Sequence, residues 1–556
     1  MIQTQSLLIL AVVAAATAAE TKGPGLAASI LAAQHAESQA DSSKASTYVD
    51  RALALDGDNT SLLRMSYMLH AAEGDIPAAA TAAKQFLAGS VDGPRTTAQL
   101  VVAVDQHKKK EHEQAWTTIS ELSGQGFIAA TLPAIRAWIR APKATVDEAL
   151  AELAPLRAND KARDTHDLMA AMINEFYSRP DQAKALYDDV AGRVDKLPLT
   201  AVALLAGGYH RQGRAAELKA VLETYRAARV RSRDTGVFVD SFNDPKMFAK
   251  VMSADVGLSE AMFLTAQQMI AATQSALFTQ LAVIYGRAAL HLNPANAMAR
   301  WIIGNAASQA GAVDAANAML QTIKASDPMF VSAQLQLAEN LEKQGRKADA
   351  MAQLQSLARL RPNDAEPHLA LADLLRGDQK FAAAVDSYDK AFALMPDEQK
   401  DNWVLLYMRG IALERSKNWS RAEADFKRAL EISPEEPWVL NYLGYSWLDR
   451  GENVAEARKL IERAYKKRPD DGAIVDSLGW AMYLAGEYEQ SVTLLEKAAE
   501  LNAADSTINS HLGDAYWKVG RRNEARFQWR RALSLSTDEA EKTALRGKLD
   551  QGLALN

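Results

Sequence analysis

Apolar and small residues recur along this chain at helical spacing, in a pattern that repeats about every 34 residues, and each repeat predicts two helices packed against each other. The stretch Asn402 to Glu435 shows the unit most plainly. Gly410 lies in the apolar stripe of a first helix, Ala422, Phe426 and Ala429 lie in that of a second, and Pro434 follows. Gly410 and Ala422 are small because the two antiparallel helices cross closest there, where a larger side chain would overpack the contact at roughly 1–3 kcal/mol. Phe426 fills the space left beside them. Ala429 faces the next unit, and Pro434, which has no amide hydrogen, ends the helix. A hairpin of this kind cannot bury its own apolar face, so neighbours must supply the missing interior and the pattern predicts a stack of hairpins.

Gly410, Gly444, Gly479 and Gly513 mark four successive units, separated by 34, 35 and 34 residues. The second continues with Ala457, Ala464 and Pro469, its one extra residue lying in the turn at 451–454. The third carries Ser491, Leu495 and Ala498, and the fourth Ala525, Trp529 and Ala532. Asp538 to Leu553 reads as a charged terminal helix whose polar outer face caps the stack. Upstream, small residues twelve apart recur at Ala372 with Ala384, Ala338 with Ala350, and Gly304 with Ala316, closed by Pro396, Pro362 and Pro328. Ile270 with Ala282 and Pro294 is a weaker version. The insertion Asp397-Glu398-Gln399-Lys400 lengthens one polar loop, a change of small energetic consequence.

In the first half the spacing persists at Ala33 with Ala45, Tyr67 with Ala79, Ala103 with Ala115, Ala137 with Ala149, Ala171 with Ala183, and Ala206 with Leu218, but alanine replaces glycine and most prolines are gone. Residues 234–245 show no helical period. The expected organisation is therefore all-α: a leader over 1–18, a linker over 19–25, a degenerate array over 26–233, an irregular junction over 234–258, a regular array over 259–537 and a capping helix over 538–556.

Composition narrows the chemistry. The chain of 556 residues has a net charge of −6, so no basic field is present for nucleic acid. The runs Lys108-Lys109-Lys110 and Arg521-Arg522 fall where turns between helices are expected and read as solvated turns. There is no cysteine, which excludes a thiol nucleophile, cysteine metal sites and a lipid-anchored cysteine. The nine histidines are scattered, and His107 and His112, five apart, would lie on different faces of one helix. His511 and Asp514, three apart, are placed to meet, but no third ligand or nucleophile lies within motif distance. Gly207-Gly208 lies in a helical pattern and reads as a packing site, not a phosphate loop. No enzyme, cofactor or metal is expected. Leu7 to Ala18 is apolar and rich in small residues, and Ala16-Thr17-Ala18 fits a cleavage site, so export to the periplasm is the expectation, with an N-terminal packing helix in a cytoplasmic protein as the alternative. No other segment is long and apolar enough to span a bilayer.

The 34-residue period, with its small, aromatic and proline positions, resembles the tetratricopeptide repeat family. That resemblance implies an α-solenoid, a right-handed superhelix of helical hairpins in which the first helices line the concave face. Mapped onto this sequence, the groove of the last units is an aromatic wall: Tyr407, Trp438, Asn441, Tyr445, Asp476, Trp480, Tyr483, Asp514, Trp517 and Lys518. Exposed rings among polar side chains are the material of binding hot spots, although the same rings could simply pack the inner wall. Trp447 and Trp529 read as core. The paired Lys, Asn and Arg of the family's clamp for a C-terminal carboxylate have no match here. The stretches Asn441-Tyr-Leu-Gly-Tyr-Ser-Trp-Leu448, Pro469 to Trp480 and His511-Leu-Gly-Asp-Ala-Tyr-Trp517 resemble bacterial envelope tetratricopeptide proteins, among them adaptor lipoproteins of a carboxyl-terminal processing protease that trims cell-wall hydrolases. Residues 30–36 and 48–56 resemble the opening of alphaproteobacterial members. The resemblance implies a non-enzymatic scaffold that binds a partner protein, with that protease or its substrates as candidates. A self-assembling cytoplasmic or membrane-peripheral repeat protein is the alternative, and oligomeric state stays open.

Overall fold

The computed structural model describes residues 25–553, apart from 39–40, 90–94, 123–125, 229–238, 240, 273–274 and 396–399. The leader over 1–18, nearly all of the linker, part of the irregular junction and the loop at 396–399 therefore lie outside the described residues. Everything described is helix, turn or connecting loop, and packing divides the chain into two compact units, 1–362 and 363–556.

The first unit contains α1 (Leu26–Ser38), α2 (Ser42–Leu53), α3 (Thr60–Glu73), α4 (Ile76–Gly89), α5 (Thr96–Lys108), α6 (His112–Ile119), α7 (Leu132–Arg140), α8 (Arg163–Phe176), α9 (Pro180–Ala191), α10 (Leu199–Arg211) and α11 (Ala215–Ala228). It continues through α12 (Ala254–Ala272), α13 (Ala276–Leu292), α14 (Ala297–Gln309), α15 (Val313–Gln321), α16 (Phe330–Lys343) and α17 (Lys347–Leu360). The second unit contains α18 (Ala365–Gly377), α19 (Phe381–Leu394), α20 (Trp403–Arg415), α21 (Trp419–Ile432), α22 (Pro437–Asp449), α23 (Val454–Lys467), α24 (Gly472–Leu484), α25 (Tyr488–Leu501), α26 (Ser506–Lys518), α27 (Arg522–Leu535) and the cap α28 (Glu539–Gln551).

The close crossing expected of each hairpin is present. A Cβ built on Gly410 would lie 2.5 Å from the Phe426 ring, and one on Gly513 would lie 2.5 Å from Trp529. Gly208 presses against Tyr187 in the same way, which makes it the packing site its sequence context predicts. The small positions of the degenerate repeats, from Ala33 to Ala206, are buried, and so are those of the regular ones. Ile270 is the exception, half-buried where its counterparts are enclosed.

That exception marks a change of role. The helices α12 and α13 are longer than the repeat helices, at 19 and 17 residues, and they pack back across α7, α3 and α5, the first helices of the degenerate hairpins. Gly257 is the point of closest approach, where a Cβ would lie 2.2 Å from the Trp138 ring. Polar groups fix the seat. Lys108 Nζ donates to the Asp255 carboxylate at 3.1 Å and to the Leu292 carbonyl at 2.8 Å. Arg287 Nε donates to the Ala72 carbonyl at 3.1 Å, and the hydroxyls of Thr97 and Tyr285 meet at 3.1 Å. The lysine run at 108–110 does lie in a turn, but it is no merely solvated turn: Lys108 and Lys110 both pair with Asp255. Because this hairpin fills the N-terminal unit, the division by packing falls after Pro362, inside the segment that repeat regularity assigns to a single array.

Each turn within a hairpin needs one residue in the left-handed region. Gly451, Gly486 and Gly520 supply it at φ +67°, +79° and +83°, whereas Gln379 and Lys417 adopt it at +58° and +65° without being glycine.

Candidate functional site

In the N-terminal unit the face formed by the first helices is occupied by the chain's own α12–α13 hairpin. In the second unit α22, α24 and α26 touch one another side by side, and their shared face carries the aromatic residues of the C-terminal repeats. Trp438 at the start of α22 is 42% exposed, with the Arg468 guanidinium 5.1 Å above its ring, and Tyr407, Asn441, Tyr445, Trp480 and Tyr483 are half-buried. Half-burial follows from position. The small residues of each first helix face its own partner helix, which turns the large residues toward the open side.

The best-ordered part is a stack of three rings. Tyr483 lies parallel to Trp480 at 4.6 Å, and Trp480 lies parallel to His511 at 4.0 Å. Tyr483 and Trp480 are three residues apart on α24, and His511 comes from α26. Asp476, buried one turn before Trp480, accepts from His511 Nδ1 at 3.0 Å and fixes the imidazole plane. Tyr407 meets Tyr442 edge to face at 5.9 Å, and the Tyr442 hydroxyl donates to Glu414 at 3.1 Å. Burial pushes the Tyr407 hydroxyl up to about 12 and raises that of Tyr445 further, so both are neutral phenols.

Three of the expected groove residues are engaged elsewhere. Asp514 is buried and accepts from Trp529 Nε1 at 2.8 Å and from Lys548 Nζ at 2.7 Å. Trp517 is also buried, its Nε1 donating to the Leu553 carbonyl at 3.0 Å while Arg522 covers its ring at 3.9 Å. Lys518 reaches over the Tyr488 ring at 5.9 Å. The cap α28 and residues 552–553 close this end of the stack, so Asp514 and Trp517 serve the cap. Trp447 and Trp529 are buried, as their pattern predicts.

Two further sequence readings are corrected. His511 pairs not with Asp514, three residues on, but with Asp476, 35 residues earlier, because the repeat brings equivalent turns of α24 and α26 together. His107 and His112 do not lie on different faces of one helix. A tight turn at 109–111 separates α5 from α6 and brings their rings edge to face at 5.1 Å. Sequence reasoning also missed Tyr442 and His511 as ring partners.

Among the described residues no group of histidines and carboxylates has the geometry of a metal site, and no helix is long and apolar enough to cross a membrane. A second opening, a cleft of about 740 Å³, lies among α15, α16 and α17. Within its lining Gln353 donates to Gln334, and Asn317 accepts from Asn340, which in turn accepts from Ser308.

Sequence models of the tetratricopeptide repeat family match residues 403–436 in one case and residues 313–365, 335–398 and 443–507 in another. Those segments are tetratricopeptide repeats, a class of domain that binds protein partners and is typically a non-catalytic scaffold. No curated protein matches the chain. Among solved structures, the Cut9 and Hcn1 hetero-tetramer of the APC/C matches at 15% identity over 99% of both chains, with a TM-score of 0.38. A tetratricopeptide repeat protein from Parabacteroides merdae matches at 17% identity over 44% of this chain and 94% of its own, with a TM-score of 0.37. The pilF protein of Pseudomonas aeruginosa matches at 19% identity over 39% of this chain and 96% of its own, with a TM-score of 0.32.

Proposed function

We propose that this chain is a non-enzymatic scaffold of the bacterial cell envelope that holds a partner protein along the first-helix face of its C-terminal repeats. The observation that carries this reading is the ring system of Trp438, exposed, and Tyr445, Trp480 and Tyr483, half-buried, which lies on helices already locked by their own partner helices and by the Asp476–His511 bond. Aromatic side chains held rigidly at a surface lose little freedom when a partner covers them. The envelope location rests on the apolar leader-like segment over 1–18 and on the C-terminal motifs. Those motifs also suggest the partner: a carboxyl-terminal processing protease or the cell-wall hydrolases it trims.

The test is a pull-down from envelope extract, and from purified processing protease, with the wild type and with Trp480→Ala and Tyr483→Ala variants shown to be folded. Loss of captured protein in the variants is expected. Equal capture removes the groove assignment, and a mature N-terminus that retains residues 1–18 removes the periplasmic one.

A further inference from the structure

The cleft of about 740 Å³ among α15, α16 and α17 lies inside the N-terminal unit, on helices other than those of the aromatic face. Two departures from the repeat open it. The second helix α15 ends after 9 residues, where α17, α19 and α21 each run for 14, so more than a turn of wall is missing beside α16. On α16, the residue four before the small position Ala338 is Gln334, half-buried, whereas the residues at that place in later hairpins, Leu406, Leu440 and Val475, are apolar and enclosed. An amide where its counterparts fill the core is not placed there by packing.

The floor of the cleft is the stripe Phe330, Gln334, Leu337 and Leu341, about 16 Å long at the helical rise. Its walls carry further amides, Gln321 from α15 and Gln353 from α17. Gln353 donates to Gln334 Oε1, which leaves Gln334 Nε2, Gln353 Oε1 and both polar atoms of Gln321 without a partner among the described residues. Lys324 is exposed in the lining with no described carboxylate beside it, while Asp349 is already answered by Arg346 Nε at 2.7 Å. The cleft thus offers an apolar floor, vacant amide donors and acceptors, and one uncompensated positive charge.

We propose that this cleft is a second binding site, independent of the aromatic face, and that it takes an extended peptide segment with apolar side chains at alternate positions and an acidic residue toward Lys324. Length and chemistry both fit such an occupant. Five extended residues span about 16 Å, with the first, third and fifth side chains on the face that meets the floor. Each peptide group presents one donor and one acceptor, the complement of Gln353 Oε1 and Gln334 Nε2. A helical segment, its own amides already bonded within the helix, would leave those of the cleft unmatched.

Fluorescence anisotropy of a short fluorescein-labelled peptide of alternating valine and threonine that ends in glutamate, titrated with the full-length chain, tests this directly. The same peptide N-methylated throughout, which has the side chains but no backbone donors, is the comparison. Binding of the unmethylated peptide alone is expected. Gln334→Leu restores the kind of side chain that the later hairpins carry, so it should keep the melting temperature of the wild type or raise it and weaken binding about tenfold. Gln353→Ala removes the vacant acceptor without adding bulk and should weaken binding to a similar degree, which keeps the test open if the leucine variant misfolds. Gln355→Ala, at an exposed position of α17 outside the lining, should leave binding unaltered. Absence of binding, equal binding of the methylated peptide, or an equal loss from Gln355→Ala would each overturn the proposal. So would a Gln334→Leu variant that melts lower and binds as before, because the amide would then be structural. Binding of chitotriose in place of the peptide would assign the amides to a sugar and overturn it as well.

Discussion

The imidazole of His511 lies parallel to the indole of Trp480, with 4.0 Å between ring centroids, while its Nδ1 donates to the Asp476 carboxylate at 3.0 Å. One side chain thus ties α26 to α24 twice, through a ring face and through a charge-assisted bond, in a place where both polar partners are buried. Asp476→Ala strips the acceptor and leaves a buried ring nitrogen unpaired, and is expected to destabilise the second unit by about 1–3 kcal/mol. Asp449→Ala, on the exposed end of α22, should change stability by no more than about 0.5 kcal/mol. Hydrogen exchange of the full chain over residues 472–518 measures both. Equal protection in the two variants would show that the dyad does not hold these helices together.

Gly444 carries the stack between α22 and α23. A Cβ there would lie 2.8 Å from Ile461 Cγ1 and 2.9 Å from the Ala457 carbonyl oxygen, and the second of these is backbone that cannot rotate away. Gly444→Leu is expected to force the helices apart at a loss of at least about 1–3 kcal/mol. Stability in stacked hairpins passes through nearest neighbours, so faster hydrogen exchange should spread to α20–α21 and α24–α25. An effect confined to α22 would show that the units do not lean on each other.

The hairpin stack was legible because close helix crossing demands small residues at fixed spacing, and that demand survives even where Ala103 or Ala137 stands in for glycine. The site was legible only in part. Heptad-like spacing along α22 and α24 places Asn441, Tyr445, Asp476 and Trp480 on one side, but contacts between repeats are long-range. Nothing in the sequence near His511 points to Asp476 instead of Asp514, and nothing near Trp517 announces that residues 552–553 will fold over it. The return of α12–α13 onto the first helices of the degenerate repeats was hidden for the same reason. Its helices carry an ordinary repeat spacing, and only their greater length and the half-buried position of Ile270 betray a different use.

Lys417 occupies the left-handed turn position between α20 and α21, at φ +65°, where the next three hairpins have Gly451, Gly486 and Gly520. A side chain with a Cβ is strained in that region, and glycine is not. Lys417→Gly is expected to stabilise the second unit by up to about 1 kcal/mol, the entropy of the unfolded glycine offsetting part of the gain. Gly486→Ala should do the reverse. Urea denaturation midpoints in which both variants fall on the same side of the wild type would refute the assignment.

Glu260, a half-buried residue, sits on α12 in the seat between that helix and the N-terminal hairpins. Its carboxylate accepts from Asn296 Nδ2 at 3.3 Å. Burial pushes its carboxyl up from 4.5 to about 7, opposed by the attraction of Arg211, which is itself held by Glu175 and Tyr187. The folded chain therefore binds this proton more tightly than the unfolded chain. The resulting stability is fully present below about pH 4.5 and is lost as the pH rises through about 7, by roughly 2–3 kcal/mol. Two histidines elsewhere in the same unit act in the opposite sense: His112 and His291, held below their ordinary value by burial, make stability rise with pH up to about 6.5. Asp255, lowered chiefly by the His107 imidazole 3.4 Å away and by Lys108, loses its contribution only in acid, below its ordinary value of 3.8. The clean quantity is the difference between wild type and Glu260→Gln, measured in the unfolding transition that includes α12. The variant should gain on the wild type steadily from pH 5 to pH 8 and leave a flatter profile, because an amide keeps the bond to Asn296 without a charge to bury. A difference that does not change with pH would mean that water or another group reaches Glu260 and that the seat of α12 is wetter than its packing implies.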